Sequence, residues 1–305
     1  RRAEARTRGK LAGIGLANYI ESPVGSPYEA IDVSVLHRDG LVEVKAGTQS
    51  TGQGHETSYA QVLADMLGVE PAQVKLVTGD TRIIAEGGGT HSDRSMRYIG
   101  ELLTETTAVL HDKARRILSA RLGCPADAVE FAEGRFAARG SNVSYSIFDV
   151  ARMAEDDDIP DELKGVLAAK AKIGKRLPAH PTGAAICELE IDEKLGEVTI
   201  TRYTTVDDVG QPINPLIVDG QTHGGIFQGV GQAFSEQIAS DPESGQIVTG
   251  SFMDYGVLRA DRLPSYDVEL VEDPTSGNAM RVKGGGESGI TPALATSINA
   301  VIDAL

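Results

Sequence analysis

Residues 282–293 (VKGGGESGITPA) place one carboxylate, Glu287, among glycines at the start of a predicted helix. They contain a G-x-G-x-x-G pattern, which binds a dinucleotide when it lies in a βαβ unit with an acidic residue about 20 positions further on. Asp303 lies near that distance, but it falls inside the predicted helix, and no second strand follows it. The pattern therefore does not favour a Rossmann dinucleotide site.

Two interpretations remain for this loop. In the first, the glycines let other groups approach the backbone closely, and Glu287 projects into the space that they enclose. A carboxylate in such a space loses hydration and can act as a general base. In the second, the loop is a surface turn with a solvated Glu287, which is the simpler interpretation of the spacing alone.

A second glycine-rich loop, at 48–56 (TQSTGQGHE), opens another predicted helix. The N–H groups at a helix start favour anions and polar acceptors. Gln53 carries an amide that can both donate to and accept from a heterocycle. His55 could donate to a phosphate or bond to the helix backbone. The zinc motif H-E-x-x-H is not formed, because Tyr59 stands where its second histidine would be.

Hydroxyls and a guanidinium occur together in a third loop, at 87–95 (GGGTHSDRS). Thr90, Ser92 and Arg94 would suit a phosphate or pyrophosphate, although an exposed turn with a solvated arginine explains the same residues. Gln221 stands at the start of a glycine-rich predicted helix, where the glycines serve either packing or a ligand. Together these loops suit a ligand that combines phosphates with a hydrogen-bonding heterocycle.

The composition argues against several other classes of protein. The chain has 29 basic and 44 acidic residues and a net charge of −15, which would repel a nucleic-acid backbone. Cys124 and Cys187 are too few for an iron–sulfur cluster, a zinc set or a disulfide framework, so a reducing, cytoplasmic location is expected. No apolar run approaches about 18 residues, so no transmembrane segment is expected.

Hairpins alternate with helices along the chain, which predicts an α+β fold of mixed sheets with crossover helices rather than a doubly wound sheet. An acidic run followed by a Lys- and Ala-rich segment predicts two subdomains, a cofactor-binding one at 1–160 and one at 161–305 that carries the Glu287 loop. The boundary is approximate, and strands can be shared between the two. Strands are predicted at 10–20, 30–37, 41–46, 73–78, 127–137 (a hairpin), 184–192 and 197–206. Helices are predicted at 56–67, 100–122, 145–154, 216–238 and 291–305, the last with Thr291 as its N-cap.

Six longer stretches carry a family likeness. They are GTQSTGQGHETSYAQVLADMLG (47–68), VTGDT (77–81), GGGTHSDRS (87–95), VDDVGQPINPLIVDGQTHGGIFQGVGQA (206–233), GSFMDYG (250–256) and KGGGESG (283–289). Together they resemble the C-terminal half of the molybdenum-binding large subunit of molybdenum hydroxylases, the xanthine dehydrogenase and aldehyde oxidase family. The likeness is greatest to the carbon monoxide dehydrogenase-type large subunits, and the stretches occur in family order.

The resemblance implies a molybdenum–pterin cofactor, in the cytosine dinucleotide form for a bacterial protein, and oxidative hydroxylation with water as the oxygen source. It implies that Glu287 is the general base and that no protein side chain ligates the metal. The cofactor supplies the redox chemistry, and the protein supplies the base, orientation and electrostatics. The implied cofactor contacts are Gln53, Gly54, His55, Thr90, Ser92, Arg94, Gln221, Lys283, Gly284, Gly285 and Gly286.

Two positions depart from the family pattern. The family loop usually has a small residue where Asp93 stands, and a negative charge there is costly near a phosphate. Gly285 replaces the commoner valine of the K-G-V-G-E motif, which predicts a looser turn.

The resemblance also implies partners. These are the N-terminal half of the large subunit, an iron–sulfur subunit with 2Fe-2S clusters and an FAD subunit, in a homodimer of heterotrimers. The chain by itself would then be inactive. The implied substrate is a small molecule: an aldehyde, a purine, an N-heterocycle or carbon monoxide. The alternative is a non-catalytic cofactor-binding or assembly module with the same fold, which would have no need of Glu287.

Overall fold

A computed structural model describes residues Arg1–Leu305. The helices are α1 (Arg2–Thr7), α2 (His55–Leu67), α3 (Ser95–Leu122), α4 (Ile147–Met153), α5 (Pro215–Phe234) and α6 (Ile290–Ala304). The strands are β1 (Lys10–Ile20), β2 (Glu29–Leu36), β3 (Leu41–Ala46), β4 (Val74–Val77), β5 (Val129–Ala132), β6 (Arg135–Ala138), β7 (Ser144–Tyr145), β8 (Leu167–Ile173), β9 (Thr182–Asp192), β10 (Val198–Asp208) and β11 (Tyr266–Val271). No helix has both the length and the apolar character that crossing a membrane requires. The predicted α+β class is confirmed.

The chain forms two compact units. The first comprises Arg1–Pro23, Ala179–Thr275 and Val282–Leu305, and the second comprises Val24–Pro178 and Ser276–Arg281. These limits differ from the predicted division after residue 160, because β1 pairs with β9 and β8 pairs with β2. Pairing between strands that are distant in the chain therefore determines the units.

The first unit is built on a four-stranded sheet in the order β1-β9-β10-β11. The β10–β11 pair is parallel, while β1–β9 and β9–β10 are antiparallel. A parallel pair needs a crossover connection, and here it contains α5. The core is formed where α5 and α6 pack on the sheet, with Ile226, Val230, Ala293, Ala300, Leu189, Ile191 and Tyr203 buried there.

Two glycines of β1 bring α6 directly against this sheet. A Cβ atom at Gly13 would lie 2.1 Å from the carbonyl oxygen of Ala300, and one at Gly15 would lie 2.1 Å from that of Thr296. Both distances are far shorter than van der Waals contact, so a larger residue at either position would displace the helix. The strand thus sets the position of α6, which directly follows the loop that carries Glu287.

The second unit contains a four-stranded sheet in the order β4-β3-β2-β8 and a three-stranded sheet of β5, β6 and β7. The parallel pair β3–β4 is connected through α2, and α3 packs against β8 and β2. Alternate residues of β2 and β3 point into this core, where Val33, Val35, Val42 and Val44 are buried. The glycine-rich loops at 48–56 and 87–95 precede α2 and α3.

Two strands were not predicted, and the predicted start of one helix was wrong. Strand β8 (LAAKAKI) alternates buried and exposed residues, but alanine and lysine have weak strand propensity, and the segment was not predicted as a strand. Strand β11 was also missed. Helix α6 begins at Ile290, so Thr291 lies inside the helix rather than at the N-cap, and its hydroxyl donates to the Glu287 carbonyl.

Candidate functional site

Two of the predicted loops meet within the second unit. A Cβ atom at Gly47 would lie only 2.3 Å from the Cα of Gly87, so the backbones of the two loops touch. The hydroxyl of Thr90 donates to the carbonyl of Gln49 at 2.7 Å, which joins the loops by a hydrogen bond. The sequence predicted these loops separately, and the fold makes them one surface.

A buried ion pair lies at this contact. The side chains of Glu29 and Arg94 are both 0% exposed, and Arg94 Nη1 lies 2.7 Å from Glu29 Oε2. The guanidinium also donates to the carbonyl oxygens of Ser26, Tyr28 and Gly89. The Arg94 guanidinium therefore makes its hydrogen bonds within the protein, in contrast to the phosphate contact predicted for it.

The loop before α2 presents an amide rather than a charge. The side-chain oxygen of Gln53 accepts hydrogen bonds from the N–H of Thr51 at 2.5 Å and from its hydroxyl at 3.1 Å. The Gln53 NH₂ group is thus the part suited to a ligand. Gly54 has a left-handed φ of 73° and caps α2. His55 is buried and stacks on Tyr59, and burial lowers the pKa of His55 below its ordinary value.

The loop before α3 makes a tight turn. Ser92 and Asp93 have φ values of 50° and 51°, a left-handed conformation that is strained for residues other than glycine. The Ser92 hydroxyl lies 3.1 Å from Nδ1 of His91, and the Asp93 carbonyl accepts a hydrogen bond from Nε of Arg97 at 3.0 Å. Such strain is typical of loops whose shape serves a ligand.

In the first unit, Lys283 anchors the loop at 283–289. Its backbone N–H donates to the carbonyl of Val209 at 2.8 Å. Its ammonium pairs with the carboxylates of Asp208 and Asp273. Partial burial opposes the charge, but the hydrogen bonds to the two aspartates outweigh it and raise the pKa of Lys283. The lysine is therefore positively charged and committed to the protein.

The glycines after Lys283 fit closely against their neighbours. Gly284 has a φ of 106°, which side chains rarely allow. A Cβ atom at Gly285 would lie 3.1 Å from Cγ1 of Val209 and 3.2 Å from Cγ1 of Val218. The looser turn predicted for Gly285 is therefore not observed, because the missing side chain lets the loop pack against the valines.

Gly286 and Glu287 complete the loop and are exposed in their unit. The Glu287 carbonyl accepts hydrogen bonds from the N–H of Thr291 at 3.1 Å and from its hydroxyl at 2.7 Å. The Glu287 backbone is thus fixed at the start of α6 while its side chain is accessible. Within the first unit Glu287 is exposed, as in the second interpretation of this loop, and the enclosed space of the first interpretation is not formed.

Gln221 lies near the same loop, half-buried on α5. The next residue, Thr222, has its carbonyl oxygen only 2.2 Å from the position of a Cβ atom at Gly289. A Cβ atom at Gly225 would likewise lie 2.7 Å from the backbone nitrogen of Ile290. Gly225 thus serves close helix packing, the first of the two roles considered for the glycines of α5, and Gly289 does so at the start of α6.

Asp207, which is next to Asp208 in the sequence, was not among the predicted site residues. Asp207 is 0% exposed and accepts hydrogen bonds from the hydroxyls of Tyr19 at 2.7 Å and Thr205 at 2.9 Å. Burial raises the pKa of Asp207 above its ordinary 3.8, although both hydrogen bonds oppose the shift. The end of β10 therefore carries one buried carboxyl with a raised pKa next to one that is paired with Lys283.

Asp207 predicts a pH dependence of stability. Because its pKa is raised in the folded chain, its contribution is fully present below the unfolded pKa and is lost as pH rises through the folded value. The free energy of unfolding of Asp207→Asn, relative to that of the wild type, should therefore increase by on the order of 1 kcal/mol as pH rises from 4 to 7. Urea unfolding of both proteins at the two pH values measures this, and an equal difference at both would contradict it.

The loops of each unit, taken separately, carry groups that suit a ligand with phosphates or a heterocycle. The available donors are amides, hydroxyls and glycine N–H groups, which suit phosphate oxygens and ring acceptors. At Gly52 and Gly89 no atom lies within 4 Å of a would-be Cβ, so a ligand can approach the backbone of both loops in the second unit. The Arg94 side chain is the predicted contact that does not fit.

The comparison with family profiles decides the relationship. A family model described as a molybdopterin cofactor-binding domain matches residues 1–264. The chain belongs to this family. The molybdopterin cofactor-binding domain is 34% identical, over 98% of its length, to subunit gamma of the 6-hydroxypseudooxynicotine dehydrogenase complex of Paenarthrobacter nicotinovorans, of which it covers 38%.

Other similar proteins include solved structures. The domain is 29% identical, over 96% of its length, to the carbon monoxide dehydrogenase large chain of Hydrogenophaga pseudoflava, of which it covers 38%. It superposes on Cu,Mo-CO dehydrogenase with a TM-score of 0.88 at 28% identity, covering 99% of the domain and 40% of that chain. For quinoline 2-oxidoreductase from Pseudomonas putida 86 the TM-score is 0.87 at 29% identity, covering 100% and 40%. The domain thus spans about two fifths of the length of these relatives.

Proposed function

We propose that this domain is the C-terminal, cofactor-binding part of the large subunit of a molybdenum hydroxylase, and that its cofactor is molybdopterin cytosine dinucleotide. The observation that carries the proposal is the loop at 283–289. Lys283 ties this loop to the end of β10, and Glu287 is accessible at the fixed start of α6. Family membership and the similarity to carbon monoxide dehydrogenase support it.

The cofactor would be held mainly through neutral donors. When bound, it supplies the two-electron oxidation of a substrate carbon, with water as the oxygen source. His55 would contribute its backbone N–H at the start of α2, because its ring is buried against Tyr59. The other contacts would come from Gln53, Gly54, Thr90, Ser92, Gln221, Gly284, Gly285 and Gly286.

Glu287 is the proton acceptor that this loop can offer. The reaction requires that a water-derived oxygen lose a proton as it adds to the substrate, and a carboxylate within hydrogen-bonding reach can accept it. Lys283 cannot take this role, because Asp208 and Asp273 keep its ammonium protonated and paired. Its function is to hold the loop in place.

Substrate and partners belong to the same proposal. The relatives are named as subunits or chains of dehydrogenases and a hydroxylase, which supports partner subunits for the whole protein. We propose the N-terminal half of the large subunit, a 2Fe-2S subunit and an FAD subunit, in a cytoplasmic homodimer of heterotrimers. The substrate would be an aldehyde, a purine, an N-heterocycle or carbon monoxide.

Quantifying molybdenum and released CMP together on the full complex tests the cofactor assignment. We expect about one of each per large subunit, because the proposed cofactor carries one metal and one cytidine nucleotide. Molybdenum without CMP would overturn the dinucleotide form and keep the enzyme class. Neither of them, from a host that makes the cofactor, would overturn the proposal in favour of a non-catalytic module.

A further inference from the structure

The Glu29–Arg94 pair lies in the second unit at a place where two loops must stay together. Glu29 is the first residue of β2, and its Oε2 accepts hydrogen bonds from Arg94 and from the N–H of Gly88 at 3.1 Å. Its Oε1 would lie 2.7 Å from a Cβ atom at Gly47 and 3.2 Å from one at Gly87. A single buried carboxylate therefore touches both glycine-rich loops.

Arg94 completes the contact from the side of α3. Its guanidinium binds the Gly89 carbonyl in one loop and the Ser26 and Tyr28 carbonyls in the segment before β2. The guanidinium carbon also lies 4.7 Å from the centre of the Tyr98 ring. The side chain is 0% exposed, so turning it toward a ligand would break these bonds and leave the Glu29 carboxylate buried without its countercharge.

We infer that Glu29 and Arg94 are positioning residues that clamp the loop at 87–90 against the loop at 47–51. Arg94 then acts on a bound dinucleotide through the shape of these loops, without contacting its phosphates. The inference rests on the proposed function for the identity of the ligand, whereas the clamp itself is a property of the chain. It gives a different role to Arg94, the one arginine of the loop at 87–95.

The two explanations of Arg94 differ in what they expect of Glu29. If Arg94 contacts a phosphate directly, removing the negative charge of Glu29 should leave cofactor binding unchanged or strengthen it. If the pair is a clamp, Glu29→Gln should loosen both loops and weaken cofactor retention, as Arg94→Gln does. The two explanations therefore predict opposite effects of Glu29→Gln on cofactor binding, and Glu29 cannot itself attract a phosphate.

The test compares Glu29→Gln and Arg94→Gln with Arg38→Gln in the same unit. Arg38 is 78% exposed and pairs with Glu155 at 2.6 Å, so its loss removes an ion pair without touching the loops. Amide hydrogen exchange of peptides covering 47–54 and 86–94 is measured on the intact protein, with and without cofactor. CMP per large subunit is measured on the full complex.

We expect exchange in both peptides of the cofactor-free protein to rise by about tenfold or more in the two clamp variants, and to stay unchanged in Arg38→Gln. CMP content should fall in both clamp variants. Loss of CMP from Arg94→Gln alone, with wild-type exchange and CMP in Glu29→Gln, would overturn the clamp and restore the phosphate contact.

Two further results keep the outcomes distinct. If a single variant does not fold, the double variant Glu29→Gln/Arg94→Gln, which buries no unpaired charge, should fold and exchange faster at both loops than the wild type. Wild-type exchange in that double variant would overturn the clamp. Faster exchange in a protein that never contains CMP would support the clamp and contradict the proposed cofactor, so the two failures are separable.

Discussion

Replacing Glu287 by glutamine should lower kcat of the assembled enzyme by about 10²–10⁴-fold. Glutamine has nearly the same size and shape, but its amide cannot accept a proton at neutral pH. The Glu287 backbone is held by Thr291 and its side chain is exposed, so the exchange should leave the loop and α6 in place. Molybdenum and CMP contents should equal those of the wild type.

The matched control is Glu193→Gln, in the turn between β9 and β10. Glu193 is exposed, and its replacement removes the same charge from the same unit at a distance from the loop in sequence. Its turnover should equal that of the wild type. If Glu287→Gln kept most of the wild-type kcat at full cofactor content, Glu287 would not be the base. If a fully loaded wild-type complex turned over no aldehyde, purine, N-heterocycle or carbon monoxide, the non-catalytic alternative would be favoured.

The elements that sequence reasoning located are those with a strong local signal. The hairpin of β2 and β3 has a clear turn and regular alternation, and the two long helices of the second unit end at Gly68 and Gly123, both left-handed. The signal is weaker in β8, whose alanines and lysines have weak strand propensity, so that pairing with β2 decides its structure. Strand β11 (YDVELV) does alternate apolar and acidic residues, although it was not predicted. Its parallel pairing with β10, across a connection of 57 residues (209–265) that includes α5, has no local mark in the sequence.

The candidate site divides in the same way. Glycines beside Gln53, Thr90 and Glu287 mark the loops in the sequence, because close approach and left-handed turns require glycine there. The partner of Arg94 leaves no such mark, since Glu29 is 65 residues away and is brought to it only by packing. A buried guanidinium and a phosphate-binding one look the same in a sequence, so the role of Arg94 could not be predicted.

Replacing Gly289 by alanine should lower the free energy of unfolding by about 1–3 kcal/mol. Gly289 has φ −65° and ψ −40°, a helical conformation that alanine adopts without strain. The added methyl group, however, would lie 2.2 Å from the carbonyl oxygen of Thr222, a backbone atom that cannot rotate aside. The start of α6 must therefore move away from α5. Urea unfolding of the intact protein measures the loss.

Gly224→Ala is the matched control on α5. Gly224 is exposed, and no atom lies within 4 Å of a Cβ atom built there. Alanine at this helical position should raise the free energy of unfolding by about 0.4–1 kcal/mol, because it restricts the unfolded chain. Both variants replace one glycine and add one methyl group. Opposite signs of the change in the free energy of unfolding would therefore show that the methyl group meets other atoms at position 289 and none at position 224.

The sign of the Gly289 effect also bears on how Glu287 is placed. If contact with Thr222 sets the start of α6, then Gln221 and Glu287 are held in one arrangement by backbone packing, and Gly289→Ala should lose cofactor along with stability. If Gly289→Ala were as stable as Gly224→Ala, the backbone at Thr222 could move away from the added methyl group without loss of stability. The position of Glu287 would then depend on the Lys283 anchor alone, and Lys283→Met, which removes the ammonium but keeps most of the chain's length, would become the more disruptive change.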